Sequence, residues 1–225
     1  RKVMEELRDA IGMKELPHHI ECFDNSNIQG TNPVASCVVF RDAEPSKRDY
    51  RHFNIKSVVG ANDYASMKEV VNRRYSRMLA EAPDDLPQLI VIDGGKGQLA
   101  FAYEAILELG LQDRVTVVGL AKRLEEVVRI GDPYPLFIDR NSQALKLLQR
   151  LRDEAHRFGI THHRARRSKS QISSALREIK GVGERTEQRL LLRFGSVAGI
   201  VAAPVEEISA LVGPALAARI KDELK

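Results

Sequence analysis

Two aspartates and one histidine have the residue types that bind a divalent cation or transfer protons. Asp24 ends the apolar run 18–23, and Asp93 ends a second apolar run, 89–92. Because α/β sheets bind ligands at the edge where strands end, we expect both carboxylates at such an edge. His156 lies near the buried edge of a long predicted helix. Next to a carboxylate pair, its imidazole would bind metal, activate water or protonate a leaving oxygen.

These side chains predict a metal site only if folding brings them together. Two carboxylates a few ångströms apart repel each other, and a divalent cation between them relieves that repulsion. Hard oxygen ligands suit Mg²⁺ or Mn²⁺. Taken alone, each aspartate is more often a turn former or a helix cap, and a lone histidine on a helix is more often structural.

Three further charged residues are weaker candidates. Lys122 follows the end of an apolar strand, where its charge can stabilise a phosphate. Asp63 begins a predicted helix, and helix capping explains it equally well. Lys96 lies in the turn 94–97, which lacks the spacing of a nucleotide-hydrolysing P-loop. The backbone amides of this turn can still hold one phosphate of a polymer.

The pattern of roughly the first 165 residues predicts an α/β domain with a mixed sheet. Three short strand-like segments separated by turns indicate an antiparallel meander. Later apolar runs are typical of strands buried on both faces, and helical periodicity separates them. In chain order the predicted elements are strands 18–23, 34–40 and 50–55, a helix 63–82, a strand 89–92, a helix 98–109, a strand 115–120, a hairpin 126–138 and a helix from about residue 142.

Positive charge is concentrated toward one end of the chain. Of 35 Lys and Arg and 31 Asp and Glu, residues 150–225 hold 15 and 9, and residues 1–149 hold 20 and 22. A nearly contiguous basic run occupies residues 164–169. A solvated helix face explains some such runs, but nucleic acid is the favoured partner.

The tail from residue 171 is helical and contains one short unit twice. Residues 179–183 and 211–215 each join two predicted helices. Such turns present backbone amides at a helix N-terminus and bind phosphate without reading bases. Pro214 has no N–H to donate, so the second turn should bind phosphate less well, or only pack against the first. The predicted DNA-contacting residues are Lys96, Lys180, Gly181, Val182, Gly183, Arg185 and Gly213.

Composition excludes several classes of protein. The sequence has no run of 18 or more apolar residues and no secretory signal, so neither a membrane span nor export is predicted. Cys22 and Cys37 are too few for a metal cluster or a disulfide scaffold. We expect the two cysteines to be buried free thiols in a reducing cytoplasm. We also expect no small-molecule substrate. Because the chain begins with Arg1, it is expected to be part of a longer protein.

Five sequence blocks, in a fixed order, contain most of these residues: 21–28, 63–67 with 73–75, 89–99, 119–122 and 151–158. Together they resemble the C-terminal half of the UvrC family of bacterial nucleotide excision repair. The resemblance implies a ribonuclease-H-like mixed sheet flanked by helices, followed by a small all-α tandem helix-hairpin-helix domain. It implies that Asp24, Asp93 and His156 are catalytic, and that Asp63 is a further functional aspartate.

The resemblance also implies an activity and partners. Members of the family cut double-stranded damaged DNA on the 5′ side of the lesion, together with UvrB and with UvrA acting upstream. The SOS response is part of the same expectation. We recognise neither the family's motif for the 3′ cut nor its segment that contacts UvrB. A histidine in place of a carboxylate leaves the number of metal ions open.

The roles expected within the site follow from this implied activity. Asp24 is the principal metal ligand, and Asp93 shares the metal or orients the attacking water. His156 is either a ligand or an acid/base group. Expected domains are the end of a linker or N-terminal helix in residues 1–16, an endonuclease domain in 17–165, a linker in 166–171 and the helix-hairpin-helix domain in 172–225.

Other functions are possible for the same sequence. A nuclease fold without activity can serve as a DNA-binding platform, and a metal titration separates that alternative from an enzyme. Another ribonuclease-H-like enzyme, such as a junction resolvase or a transposase, is a second alternative. The tandem hairpin tail favours the repair nuclease over it. A nucleotide-binding ATPase is disfavoured by the missing P-loop.

Overall fold

The protein divides into two units, Arg1–His162 and His163–Lys225. A computed structural model describes residues 1–26, 34–55, 63–123 and 126–224. The elements of the first unit are α1 (Lys2–Ile11), β1 (His19–Ser26), β2 (Val34–Arg41), β3 (Glu44–Pro45), β4 (Arg51–Asn54), α2 (Asp63–Glu81), β5 (Leu89–Asp93), α3 (Lys96–Glu108), β6 (Thr116–Leu120), β7 (Glu126–Arg129), β8 (Leu136–Phe137) and most of α4 (Gln143–Arg177).

In the described part of the chain, the strands form one mixed sheet in the order β3-β2-β1-β5-β6-β7-β8, with β4 also paired to β2. β1, β2 and β4 are antiparallel neighbours, so the predicted meander is confirmed. β1, β5 and β6 run parallel to one another. β5 is apolar at four consecutive positions because both of its faces are covered, and these positions have no exposed surface.

Helices complete the core of the first unit. Met67 and Tyr75 of α2 and Ile106 of α3 are fully buried in the same apolar cluster as the strands. Leu7 of α1 is also fully buried in that cluster. Part of the segment expected as the end of a linker or an N-terminal helix, residues 1–16, is thus a helix that belongs to the core. Its amphipathic pattern explains this, because apolar residues recur every three or four positions.

α4 is longer than the sequence indicates. It extends without a break from Gln143 to Arg177, and therefore through residues 166–171, where we expected a linker. No Gly or Pro occurs between residues 160 and 177 to interrupt the helical hydrogen bonds. The side chains of the basic run 164–169 lie outside the described set.

The second unit is helical, as predicted. Its small core contains Leu176, Ile179, Leu190 and Ile220, among other apolar residues. No helix in the described part of the chain has the length and apolar character needed to cross a membrane. After the end of α4 come α5 (Glu184–Phe194), α6 (Val197–Ala202), α7 (Val205–Val212) and α8 (Pro214–Glu223).

Candidate functional site

The pairing of β1 with β5 brings two acidic residues together. The two strands are parallel, and Phe23 lies opposite Ile92 in their register. Asp24 and Asp93 each follow one of these residues, so their carboxylates emerge side by side at the same edge of the sheet. Both side chains are 12% exposed. The predicted meeting of two acids at a sheet edge is therefore confirmed in geometry.

A tight turn after β5 holds Asp93 at this edge. The Gly94 amide donates a hydrogen bond to the carbonyl of Leu120 at the end of β6, at 3.3 Å. A Cβ at Gly119 would lie 3.2 Å from the Gly94 carbonyl oxygen, and a Cβ at Gly94 would lie 2.7 Å from the Gln98 side chain. The glycines thus permit a close approach of strand, turn and helix that a side chain would obstruct.

α4 supplies the histidine of the site. Nε2 of His156 lies 2.6 Å from Oδ2 of Asp93 and 3.5 Å from Oδ2 of Asp24. The preceding residue is fixed to the sheet, because the buried Ser36 hydroxyl donates a hydrogen bond to the Ala155 carbonyl at 3.2 Å. Ser36 is also the cross-strand partner of Asp24. One β2 residue therefore aligns the helix and the first acid.

Polar and aromatic contacts near β4 fix the same turn of α4. The Tyr50 hydroxyl donates to Oε2 of Glu154 at 2.8 Å. Nε2 of His52 lies 2.8 Å from the carbonyl oxygen of Phe158, and the two rings stack at 3.8 Å. These contacts flank His156 on both sides along the helix, so the position of its imidazole follows from packing.

One ligand atom from each of Asp24, Asp93 and His156 lies within 4.8 Å of the others. Burial raises the pKa of Asp24 to about 7, and the negative charge of Asp93 adds to this rise. His156 and Arg152 act in the opposite direction. The pKa of Asp24 is raised because its ionised form is buried beside a second acid. A bound cation would stabilise that ionised form.

Arg152 is the member of this cluster that sequence reasoning missed. Its Nε lies 3.3 Å from Oδ1 of Asp93, and its Nη2 donates to the carbonyl of Ala121, just after β6. Its spacing from His156 could have indicated this position. Arg152 lies four residues before His156, and residues so spaced share one face of a helix.

The other candidates of the first unit take different positions. Lys122 is exposed just beyond the end of β6, as the sequence indicates. Lys96 is exposed at the first position of α3, and its Nζ donates to the Pro133 carbonyl at 2.7 Å. Asp63 begins α2, but its side chain lies outside the described set, so its functional role stays a prediction.

The first turn between helices in the second unit contains a glycine in the left-handed region. Gly181 has φ +98°, where an added Cβ would meet Leu216 at 3.1 Å. Gly183 directly precedes α5, and its carbonyl accepts the hydrogen bond of Glu187 at 2.9 Å. The amides at the start of α5 have no acceptor within that helix and are available to an anion.

Side chains around this turn divide between surface and core. Lys180 and Arg185 are exposed on either side of it. Val182 is buried at 6% exposure, so only its backbone can face a phosphate. In the second turn, Gly213 has φ +91° and Pro214 occupies the first position of α8. The missing proline N–H is consistent with the predicted weaker anion binding there.

Two family models match the chain. The model of the UvrC RNAse H endonuclease domain matches residues 8–160. The model of the SAM-like helix-hairpin-helix tandem matches residues 173–225. The predicted architecture, a ribonuclease-H-like mixed sheet followed by a small helix-hairpin-helix domain, is thereby confirmed.

Curated relatives resemble the chain over most of its length. A UvrABC system protein C from Flavobacterium johnsoniae is 54% identical over 224 residues, covering 100% of this chain and 37% of the relative. One from Porphyromonas gingivalis is 57% identical over 197 residues, covering 88% of this chain and 33% of the relative. The chain therefore spans about a third of the length of the curated relatives it matches.

Solved structures show a more distant likeness. A crystal structure of Ciona intestinalis endonuclease V in complex with inosine-containing DNA has a TM-score of 0.37 and 21% identity, covering 56% of each chain. A structure of XPF from Aeropyrum pernix has a TM-score of 0.26 and 19% identity, covering 68% of this chain and 74% of that one.

Proposed function

Because the chain belongs to the UvrC RNase H endonuclease domain family, we propose that it hydrolyses a phosphodiester bond of damaged DNA in nucleotide excision repair. The observation that carries the proposal is the meeting of Asp24, Asp93 and His156 within 4.8 Å at one edge of the sheet. We further propose that the cut falls on the 5′ side of the lesion and requires a divalent cation.

The donor set fits a hard divalent cation. Asp24 and Asp93 offer carboxylate oxygens, the ligands that Mg²⁺ and Mn²⁺ prefer. The raised pKa of Asp24, about 7, reflects burial beside a second negative charge, which such a cation would offset. When bound, the cation supplies Lewis-acid stabilisation of the charge on the phosphate oxygens. The two aspartates would hold it between β1 and β5.

His156 is best suited to proton transfer. Its side chain is 51% exposed, so a bound DNA strand can reach it. Its Nε2 is within hydrogen-bond distance of Asp93, which can orient the ring. Imidazole nitrogen suits Mg²⁺ less than carboxylate oxygen does. We therefore assign the ligand role to the two acids and the acid/base role to His156.

Positive charge near the same edge would stabilise the transition state. Lys122 is exposed just beyond β6, the neighbour of β5 in the sheet. A lysine that offsets charge on the phosphate as it develops accelerates the reaction more than it strengthens substrate binding. Lys96 is the weaker candidate, since its ammonium already binds the Pro133 carbonyl.

The second unit would anchor the DNA without reading its sequence. The free amides at the start of α5 and the exposed side chains of Lys180 and Arg185 suit the phosphate backbone. Gly181 and Gly183 shape this turn, and Gly213 shapes the weaker second one. Damaged double-stranded DNA is the proposed partner. In the longer protein, UvrB would direct the cut. The proposed compartment is the cytoplasm.

A metal titration tests the proposal. The full-length protein that contains this chain, with its UvrB partner and a labelled duplex carrying one lesion, is assayed in EDTA and with added Mg²⁺ or Mn²⁺. We expect the 5′-side product only when a divalent cation is present. Cutting at that position in EDTA would refute the metal-dependent mechanism. DNA binding without cutting in any metal would favour the non-catalytic platform.

A further inference from the structure

Arg152 has a geometry that the proposed reaction does not use. It and His156 are four residues apart on α4, and they approach the two oxygens of the same carboxylate. Nε of Arg152 lies 3.3 Å from Oδ1 of Asp93, while Nε2 of His156 lies 2.6 Å from Oδ2. One helix face thus brackets Asp93 with a permanent cation and a titratable one.

The guanidinium is held in place independently of the acid. Its side chain is 16% exposed, and its Nη2 donates to the Ala121 carbonyl. The Nε atom is buried and has no hydrogen-bond partner among the residues that the structure describes. The attraction between Arg152 and Asp93 is therefore electrostatic, and Oδ1 of Asp93 stays available to another ligand, while Oδ2 lies against His156.

Two largely buried acids need a compensating charge when no metal is bound. Asp24 and Asp93 are each 12% exposed, and leaving both ionised and uncompensated would destabilise the fold. Among the described residues, the basic side chains forming ion pairs with the two acids are Arg152 and His156. Arg152 is charged at every physiological pH.

A fixed positive charge that stabilises the metal-free site also repels a divalent cation that enters it. A divalent ion between the acids would stand a few ångströms from the guanidinium, and like charges at that distance repel even where the effective dielectric is high. We propose that Arg152 is the counter-charge of the metal-free site, which keeps the acid pair folded and weakens binding of the divalent cation. This inference rests on the proposed metal-dependent function.

The test compares charge-removing and charge-keeping variants of the 225-residue chain. Mn²⁺ binding is measured by the electron paramagnetic resonance signal of the free ion, and thermal unfolding is followed in EDTA and in saturating Mn²⁺. We expect Arg152→Gln to unfold at a lower temperature in EDTA, to bind Mn²⁺ on the order of tenfold more tightly, and to gain more thermal stability from Mn²⁺ than the parent does.

Arg152→Lys is the matched control. It keeps the charge but loses the forked guanidinium, so its Mn²⁺ affinity should stay within about threefold of the parent value. Arg152→Met serves as a second neutral variant that retains more of the apolar stem. If either neutral variant folds only in Mn²⁺, the proposal is supported. If both are unfolded with and without Mn²⁺, it is overturned.

A merely structural role would give the opposite result. If Arg152 only anchored α4 to Ala121, its loss would loosen the site, and Mn²⁺ affinity would fall in the glutamine and lysine variants alike. Unchanged or weaker Mn²⁺ binding by Arg152→Gln therefore overturns the proposal. Absence of Mn²⁺ binding by the parent would instead refute the proposed metal site, and the comparison of unfolding in EDTA would still test the counter-charge.

Discussion

Asp24 and His156 approach to 3.5 Å between Oδ2 and Nε2, although 132 residues separate them in the chain. The first lies on a central strand and the second on the last helix of its unit. Their approach is the geometric basis of the first two predictions below.

Replacement of Asp24 should separate activity from folding. Asp24→Asn removes a negative charge whose burial beside Asp93 is unfavourable, so in EDTA at pH 8 the variant should be about 1 kcal/mol more stable than the parent. In the full-length protein with its partner, 5′ incision should fall at least about a hundredfold, since a principal ligand is lost. Urea unfolding and gel-based incision assays measure the two effects.

The control is Asp113→Asn, which removes the same charge from an exposed position. It should change neither stability nor incision. Normal 5′ incision by Asp24→Asn would contradict the ligand assignment.

A sulfur-substituted DNA tests the role of His156. If His156 protonates the leaving oxygen, His156→Ala should cut ordinary DNA slowly, by a factor of about 10² to 10⁴. With sulfur in place of that oxygen, the leaving group needs no proton, and the variant should approach the parent rate. Incision of both substrates is measured by gel assay in Mn²⁺, a softer ion that accepts sulfur better than Mg²⁺ does.

Asp24→Asn is the control for this experiment, because it should stay inactive on both substrates. An equal defect of His156→Ala on the oxygen and sulfur DNA would contradict protonation of the leaving oxygen and leave the imidazole as a metal ligand or as the base that activates water.

Acid should destabilise the first unit through a buried carboxylate. Burial alone would raise the pKa of Glu21, but hydrogen bonds from Arg74 and His19 lower it to about 2. A carboxyl whose pKa is lower in the folded state stabilises the protein above its unfolded value of 4.5, and this contribution is lost as the pH falls toward 2. We expect this residue alone to contribute a loss of about 3 kcal/mol in full, of which about 2 kcal/mol falls between pH 6 and pH 3.

Urea unfolding at pH 6 and pH 3 measures the effect in the parent, in Glu21→Gln and in Glu81→Gln. Glu81 forms an exposed pair with Arg77 on the same helix, so its variant should follow the parent. Glu21→Gln should be less stable at pH 6 and lose less stability on acidification. An identical loss in all three proteins would show that Glu21 is not responsible.

The salt dependence of DNA binding should depend on the first hairpin turn. Lys180→Gln removes one exposed positive charge beside Gly181, so the slope of log Kd against log salt should decrease by about one. Lys221→Gln removes the same charge from α8, where Nζ already donates to the Val201 carbonyl, and should leave the slope nearly unchanged. Fluorescence anisotropy with a labelled duplex measures both.

A larger deletion gives an independent check. Loss of residues 171–225 should weaken DNA binding and flatten its salt dependence, because contacts to phosphate dominate affinity. An unchanged slope in that deletion would place the phosphate contacts elsewhere.

Much of this fold could be predicted because short-range patterns determine it. The apolar run at β5 and the alternation in β4 identify strands without any tertiary information. Because parallel strands end at a common edge, the positions of Asp24 and Asp93 followed from the strands themselves. His156 was indicated by its place near the buried edge of α4, and its role by the resemblance of residues 151–158 to the UvrC family.

The remaining features depend on contacts that sequence does not display. The sequence around Arg152 resembles that of any arginine on a helix. Only the packing of α4 beside the end of β5 brings it to the carboxylate of Asp93. The continuation of α4 through residues 166–171 was missed because a basic run resembles a linker. Residues 1–16 were expected to be the end of a linker or an N-terminal helix, and the sequence did not choose between them because the apolar residues of α1 acquire a core only after the sheet forms.

The parallel register of Phe23 with Ile92 has a consequence for protein synthesis. The two acids are brought together by long-range strand pairing, and the imidazole is added only when residue 156 has left the ribosome and α4 has docked. A nascent or partly unfolded chain therefore holds, at most, an incomplete set of reactive groups. Under the proposed function, cutting therefore requires the folded first unit, because no segment shorter than residues 24–156 contains all three groups.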